Sequence, residues 1–167
     1  MTPPFTPEET RDLAARLGHV AEIQAIVLRK LHWTTQEIAF DPNAPLPVDT
    51  MFNVSQGRAG NLLRYQVTST ITGRAEAGEV FRLESTHDAF FSLPETDSAT
   101  EQELAAFGTV SVFFMVFPYI RELVHSMTGN AGLPPILLRP LRVPINPASG
   151  APIEVAPARE TPAVGSA

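Results

Sequence analysis

The sequence has no cysteine, which removes disulfide frameworks, thiolate metal sites, iron–sulfur clusters and thiol catalysis together. Lysine occurs once, at Lys30. The 12 basic residues are outnumbered by 18 acidic ones, so the net charge is −6 and no cationic patch for gripping phosphate is visible. General nucleic-acid binding is thereby disfavoured, because it needs clustered cations that displace counterions. No secretory leader is apparent: Met1-Thr2-Pro3-Pro4-Phe5 lacks a charged stretch followed by an apolar run. The longest apolar run, Val112 to Ile120, is about half of a membrane span and contains Pro118. The chain reads as a soluble cytoplasmic protein without membrane insertion.

What is present suits one globular domain. The 167 residues suffice for a core without covalent staples, and 44% of them are hydrophobic. Thr6-Pro7-Glu8-Glu9 is a helix start, with a capping Thr, Pro at the first helical position and Glu three residues after the cap. Leu13, Leu17 and Val20 then share a face, and Gly18 marks an expected end. Residues 22–33 alternate as a strand whose pattern slips near Leu28, which predicts a bulge. A proline-rich crossover, Asp41 to Pro47, follows.

Three more strands are expected. Thr50–Gln56 comes first, then a turn at Gly57-Arg58-Ala59-Gly60. Leu63, Tyr65, Val67, Ser69 and Ile71 alternate with polar residues, the period of a strand with one wet face. After a turn at Gly73–Gly78, Phe81, Leu83, Ala89, Phe91 and Leu93 share one parity. These strands form an antiparallel meander.

A second capping box, Thr100-x-x-Glu103, starts a long helix that is apolar nearly all round from Val110 to Phe117 and is expected to break at Pro118. A helix of that kind needs burial on more than one side, so Phe107, Val110, Phe114 and Met115 are assigned to a subunit interface. Leu133 to Val143 is extended. Pro147, Pro152, Pro157 and Pro162 recur among Ala, Gly and Ser, the composition of a disordered tail. The domains are an N-terminal extension with a short helix (1–21), the main domain (22–145) and the Pro/Ala-rich tail (146–167). The fold class is α+β, a four-stranded antiparallel sheet with one long helix.

No catalytic constellation emerges. Phosphate-cradling and nucleophile-elbow motifs are absent, and His19, His32, His87 and His125 lack metal-ligand spacing. His87 and Asp88 are neighbours on a strand and point to opposite faces, so His87 reads as an inward, hydrogen-bonded histidine. Arg121 and Glu122 are adjacent on a helix and cannot face one another, so each is expected to make structural ion pairs elsewhere. The acidic stretch 76–103, with eight acids and one base, reads as a solvated face or, more sharply, as a surface steering basic partners. Seven of the ten Phe lie between 81 and 117, more apolar surface than one packing layer consumes; oligomerisation or a client groove must cover the surplus.

The C-terminal third carries Phe117-Pro118-Tyr119-Ile120-Arg121-Glu122, then Ser126-Met127, then Leu133-Pro134-Pro135-Ile136-Leu137-Leu138-Arg139-Pro140-Leu141-Arg142-Val143. This resembles the SecB family of bacterial protein-export chaperones, and Ile23-Gln24-x-Ile26 and Phe91-Ser92-Leu93 extend the likeness over roughly 22–143. The resemblance implies subunits that pair and then assemble as a dimer of dimers, a homotetramer, through the long helix. It implies an ATP-independent holdase that needs no cofactor and no metal, is not an enzyme, and keeps unfolded or precursor polypeptides in hydrophobic grooves. For client binding it points to Phe40, Leu46, Val48, Phe52 and Val54. It gives Phe117, Pro118, Tyr119, Arg121 and Glu122 a structural role. The tail lacks the Cys, His and Lys of a zinc-binding segment, and Lys30 and Thr34 stand at positions that are acidic in the family's first strand. Contact with the SecA motor is therefore not carried over. A dedicated SecB-like chaperone of one client, such as the antitoxin of a toxin–antitoxin system, fits these departures as well. A small-ligand-binding or enzymatic protein on the same fold is the remaining alternative.

Overall fold

The structure is a computed structural model and describes residues 7–37, 41, 46–94 and 98–139. Its elements are α1 (Pro7–Val20), β1 (Glu22–Thr35), β2 (Val48–Ala59), β3 (Leu62–Ala75), β4 (Gly78–Ser92), α2 (Glu101–Phe107) and α3 (Phe113–Asn130). A π-helical turn, Gly108–Val112, joins α2 to α3 without a break. Thr6, Phe40, Pro140 to Val143 and the Pro/Ala-rich tail lie outside the described residues.

The strands form one antiparallel sheet in the order β1-β4-β3-β2. The meander β2-β3-β4 is as expected, and β1 joins it beside β4. β1 and β2 therefore lie at opposite edges of the sheet. The turns are tighter than the Gly positions suggested. Pairing continues through Gly57 and Arg58 in β2, and through Arg74 and Ala75 in β3, because backbone ladder bonds there outweigh local turn propensity. Only Gly60-Asn61 and Glu76-Ala77 turn, and Gly60 takes a left-handed φ of 61°. In β1 the register slips between Leu28 and Lys30, the expected bulge, and again between Ile23 and Ala25.

One face of the sheet is dry. Leu63, Tyr65, Val67 and Ile71 of β3 and Phe81, Leu83, Ala89 and Phe91 of β4 are buried there. The long helix covers them with Leu104, Phe107, Val112, Phe113, Val116, Phe117, Ile120 and Val124. Phe107, assigned from sequence to a subunit interface, is instead core: it meets Tyr65 and Phe91 edge-on at 5.8 and 5.2 Å. The helical period puts it on the sheet side together with Leu104. Gly108 follows, and a Cβ there would stand 2.8 Å from the Tyr65 ring. Tyr65 Oη closes the contact by donating to the Leu104 carbonyl at 3.0 Å.

The helix does not break at Pro118. Helix α3 passes through it, and the proline is exposed, so water can serve the carbonyl left without a donor. The change in winding falls earlier, at the π turn, where the Phe113 N–H bonds the Gly108 carbonyl. The resulting run, Glu101–Asn130, is 30 residues and is long and apolar enough to cross a membrane; half of its most apolar window is buried against the protein. It is the core helix of this sheet.

The Thr100 capping box is formed as read. Glu103 N–H donates to Thr100 Oγ1 at 3.3 Å, and Glu103 Oε2 accepts from Thr100 N at 2.8 Å. Arg16 of α1 grips the same Glu103 carboxylate, so the cap also anchors the N-terminal helix. The Arg16 hydrogen bond, the cap bonds and the Arg16 charge hold that carboxyl down to about 2. Helix α1 continues past Gly18 to Val20 and buries Thr10, Ala14 and Leu17. Tertiary burial of this face outweighs the weak helix propensity of one glycine. Beyond α3, the extended stretch from Leu133 returns along it; the Ile136 N–H donates to Thr128 Oγ1 at 3.0 Å, and Leu138 is buried.

Gly73 is packed under Phe81 and Leu46, and a Cβ there would run into the Phe81 ring. Gly73→Ala is expected to cost about 1–3 kcal/mol of stability by overpacking, measured by urea unfolding.

Candidate polypeptide-binding surface

The residues proposed for client contact fall on the second edge strand and the chain leading into it. Phe52 and Val54 lie on the helix-facing side of β2, directly across from Ser69 and Val67. Both are half-buried. Phe52 packs edge-on against Phe113 at 5.0 Å and Phe117 at 6.1 Å. Leu46 and Val48 are half-buried against the same core. The strip Leu46–Val48–Phe52–Val54 is thus a shoulder of the core whose outer half meets solvent. Phe40 lies outside the described residues.

Sequence reasoning missed the opposite edge. Ile23, Leu28 and Leu31 of β1 are between 40 and 51% exposed. They stand in register with Phe91, His87 and Ser85, on the helix-facing side of the sheet. Ile26 and Trp33 continue the row half-buried, and Trp33 stacks on Phe81 at 5.1 Å. The signal was present: β1 carries apolar residues on both parities, and its alternation slips. The two bulges leave this row on the helix side while the helices pack over the other strands.

Helix α3 bears a third apolar strip. Phe114, Met115 and Tyr119 are 40–54% exposed, with Val110 half-buried upstream. Phe114, Met115 and Val110 of the expected interface thus reach the surface, while Phe107 does not.

The opposite face of the sheet is polar. Asp88 is fully buried at its centre. It accepts from Arg29 Nε at 2.9 Å and Gln66 Nε2 at 3.3 Å and pairs with Arg64 at 2.9 Å. Burial pushes its carboxyl up, but the bonds from Arg64, Gln66 and Arg29 outweigh that and hold it below the usual range. Three further acids of the stretch are engaged too: Glu79 and Glu84 with Arg82, and Glu103 with Arg16, while Glu76 and Glu101 are exposed.

Asp88 and His87 do point to opposite faces. His87 is buried on the dry side, but its Nδ1 has no hydrogen-bond partner, because its register neighbours are Leu28 and Val67. The expected hydrogen-bonded histidine is therefore a desolvated one. Arg121 also departs from expectation: among the described residues it makes no ion pair, and its shielded Nε has no partner.

Among the described residues no cluster of His, Asp and Glu is arranged to hold a metal ion. A cleft of about 110 Å³ lies between β2 and α2, lined by Gln56, Arg58, Leu63, Tyr65, Glu101 and Leu104. A wider one of about 370 Å³ lies between α1 and α2, lined by Glu9, Asp12, Leu13, Arg16 and Glu103. Neither gathers a nucleophile, a base and an oxyanion donor.

Fold and surface together define an α+β scaffold whose distinctive chemistry is exposed apolar strips flanking a one-sided core. Comparison with known proteins places it among relatives. The family described as preprotein translocase subunit SecB matches residues 32–143. The chain belongs to the SecB family. Over 55 residues it is 42% identical to the SecB-like chaperone Rv1957 of Mycobacterium tuberculosis, a stretch covering 33% of this chain and 30% of that protein. The protein-export protein SecB of Paramagnetospirillum magneticum is 25% identical over 143 residues, 84% of this chain and 87% of that one. A solved structure of M. tuberculosis Rv1957 SecB-like chaperone, in complex with a ChAD peptide from the Rv1956 HigA1 antitoxin, superposes with a TM-score of 0.73 at 26% identity, covering 80% of this chain and 99% of that one.

His87 gives the fold a pH dependence. Burial lowers its folded pKa below the ordinary 6.5, so the unfolded chain binds the proton more readily. Its contribution is complete above about pH 7 and is lost as pH falls through the unfolded value toward the lower folded one. Urea midpoints should fall between about pH 7 and 5, and His87→Leu should flatten that decline.

Proposed function

We propose that this protein is an ATP-independent, non-catalytic chaperone that holds non-native polypeptide segments against its apolar strips. The observation that carries this reading is the exposed apolar surface on both edges of a sheet that superposes, at TM-score 0.73, on a SecB-like chaperone with a peptide bound. Clients contact the β2 shoulder, Leu46, Val48, Phe52 and Val54, and the β1 row, Ile23, Leu28 and Leu31. Adaptable apolar contacts tolerate many sequences, because they ask for no matched polar partner. Copies associate through the exposed strip of α3, Val110, Phe114 and Met115, with a homotetramer as the end state. The molecule acts in the cytoplasm.

A second reading has its own support. The segment with 42% identity and the structural match both point to a chaperone whose solved structure is a complex with an antitoxin peptide. On that reading this chain serves one client, an antitoxin, rather than many precursors. Recovery of the tagged full-length protein from its own cells separates the two. Many unrelated unfolded chains support the general holdase; one dominant small partner supports the dedicated chaperone; recovery of the protein alone defeats both.

Two variants locate the binding surface. Leu31→Ser, at an exposed position, should change stability by no more than about 0.5 kcal/mol. It should nevertheless weaken suppression of aggregation of an unfolded client, followed by light scattering. Phe52→Ser should lower both client binding and stability, the latter by about 2 kcal/mol, since the ring also buttresses Phe113 and Phe117. Unchanged suppression by both variants would remove these strips from the site.

A further inference from the structure

Past the end of α3 the chain turns back along the helix. The Leu133 N–H donates to the Thr128 carbonyl at 3.0 Å, and the Ile136 N–H donates to Thr128 Oγ1 at 3.0 Å. Ile136 is half-buried, Leu137 is 55% exposed, and Leu138 is buried in one cluster with Val124, Ile120 and Phe117. That alternation is the period of an extended chain with one face on the core. Phe117, Val124 and Thr128 fall at helical spacing on one side of α3. At about 1.5 Å of rise per residue, Thr128 stands ~16 Å along the helix from Phe117. About five residues of extended chain span the same distance. A run level with Thr128 at Ile136 is therefore level with Phe117 at Leu141, and with Phe113 at Val143. Phe113 and Phe117 are the rings against which Phe52 of the β2 shoulder packs. Residues 140–147 lie outside the described residues and read Pro140-Leu141-Arg142-Val143-Pro144-Ile145-Asn146-Pro147. Leu141, Val143 and Ile145 share one parity, while Pro140 and Pro144, of the other parity, have no N–H to give to a ladder. A segment of this composition can cover an apolar strip with side chains without templating a further strand.

We infer that Leu141, Val143 and Ile145 occupy the β2 shoulder of their own subunit when no client is bound, so that a client must displace them. The inference rests on the reading of Leu46, Val48, Phe52 and Val54 as client surface, and it adds to that surface a built-in competitor. The chain's own segment is the occupant that the geometry favours. It starts from a fixed point at Ile136, and its length to the shoulder matches the distance along α3. A short tether of this kind gives an effective concentration on the order of millimolar. A contact too weak to persist between separate molecules is therefore populated within one. An incoming client meets only the fraction of shoulders left open, and its apparent affinity falls by that fraction. The segment thus sets a threshold: polypeptides with few apolar side chains are refused, and those with many displace it.

Two experiments on the full chain test this, with folding followed by circular dichroism. The first combines Leu141→Ser, Val143→Ser and Ile145→Ser and measures affinity for reduced, carboxymethylated lactalbumin, a permanently unfolded chain. Binding should tighten by about fivefold, the change expected when a segment that fills four-fifths of the shoulders is removed. Unchanged affinity overturns the inference. Weaker affinity overturns it too, and makes the segment part of the client site instead. The second experiment uses the absence of native cysteine, which makes an engineered pair unambiguous. Val54→Cys with Val143→Cys should close an intramolecular disulfide under mild oxidation. Closure should weaken lactalbumin binding below that of the wild type, and reduction should restore it. A folded double variant that does not close overturns the inference, because the segment then lies elsewhere. Closure that leaves client binding unchanged overturns the competition. If neither the wild type nor the triple variant holds lactalbumin, the chaperone reading falls and the competition with it. Closure of the disulfide would in that case still report the contact between segment and shoulder, so the two failures are told apart.

Discussion

The edge-on packing of Phe107 between Tyr65 and Phe91 is the contact on which the rest of the structure depends. It brings the first turns of the long helix down onto the middle of the sheet. Gly108 permits that approach by having no side chain where the Tyr65 ring stands. The Tyr65 hydroxyl, pushed up in pKa by its burial, spends its proton on the Leu104 carbonyl. The π turn that follows shifts the winding, so that Phe113, Val116, Phe117 and Ile120 stay on the sheet. A ring cluster at the start of the helix thus sets the placement of α3 and of everything α3 leaves exposed.

One helical layer cannot cover a four-stranded sheet. Helical cover over the central strands leaves Ile23, Leu28 and Leu31 of β1 in solvent and keeps Phe52 and Val54 of β2 at the shoulder. These edges are costly in water and useful to a protein that must accept unfolded chains, since apolar contact needs no matched sequence. The same shortage of cover leaves the outer side of α3 apolar. The polar face is ordered differently: Asp88 is held by Arg29, Gln66 and Arg64, which makes it a closed structural network.

Much of the architecture was legible from local patterning. Period-two alternation identified β3 and β4 and the buried parity of each, because a strand with one wet face must alternate. The Thr100–Glu103 box marked the helix start, since its two reciprocal bonds are local. The slip near Leu28 marked a bulge. The site was less legible. Phe52 and Val54 were named for client contact and stand half-buried at the edge of the core, but the β1 row was not seen, because exposure there depends on how far the long helix extends over the sheet. Phe107 was assigned to the outside because helical spacing does not say which side of an all-round apolar helix meets the sheet. Pro118 was given a break that it does not cause, since its cost depends on whether the freed carbonyl faces water.

The amino-acid sequence by itself determined the element types, the parity of the dry face, the bulge, and the motif that marks the family. These rest on interactions between residues a few positions apart, or on recurring chemistry within one segment. Only the tertiary structure decided which apolar residues are core and which are strip. Burial is a property of what lies across a contact. Here the covering helix and the edge strand β1 that it leaves bare are separated in sequence by β2, β3 and β4.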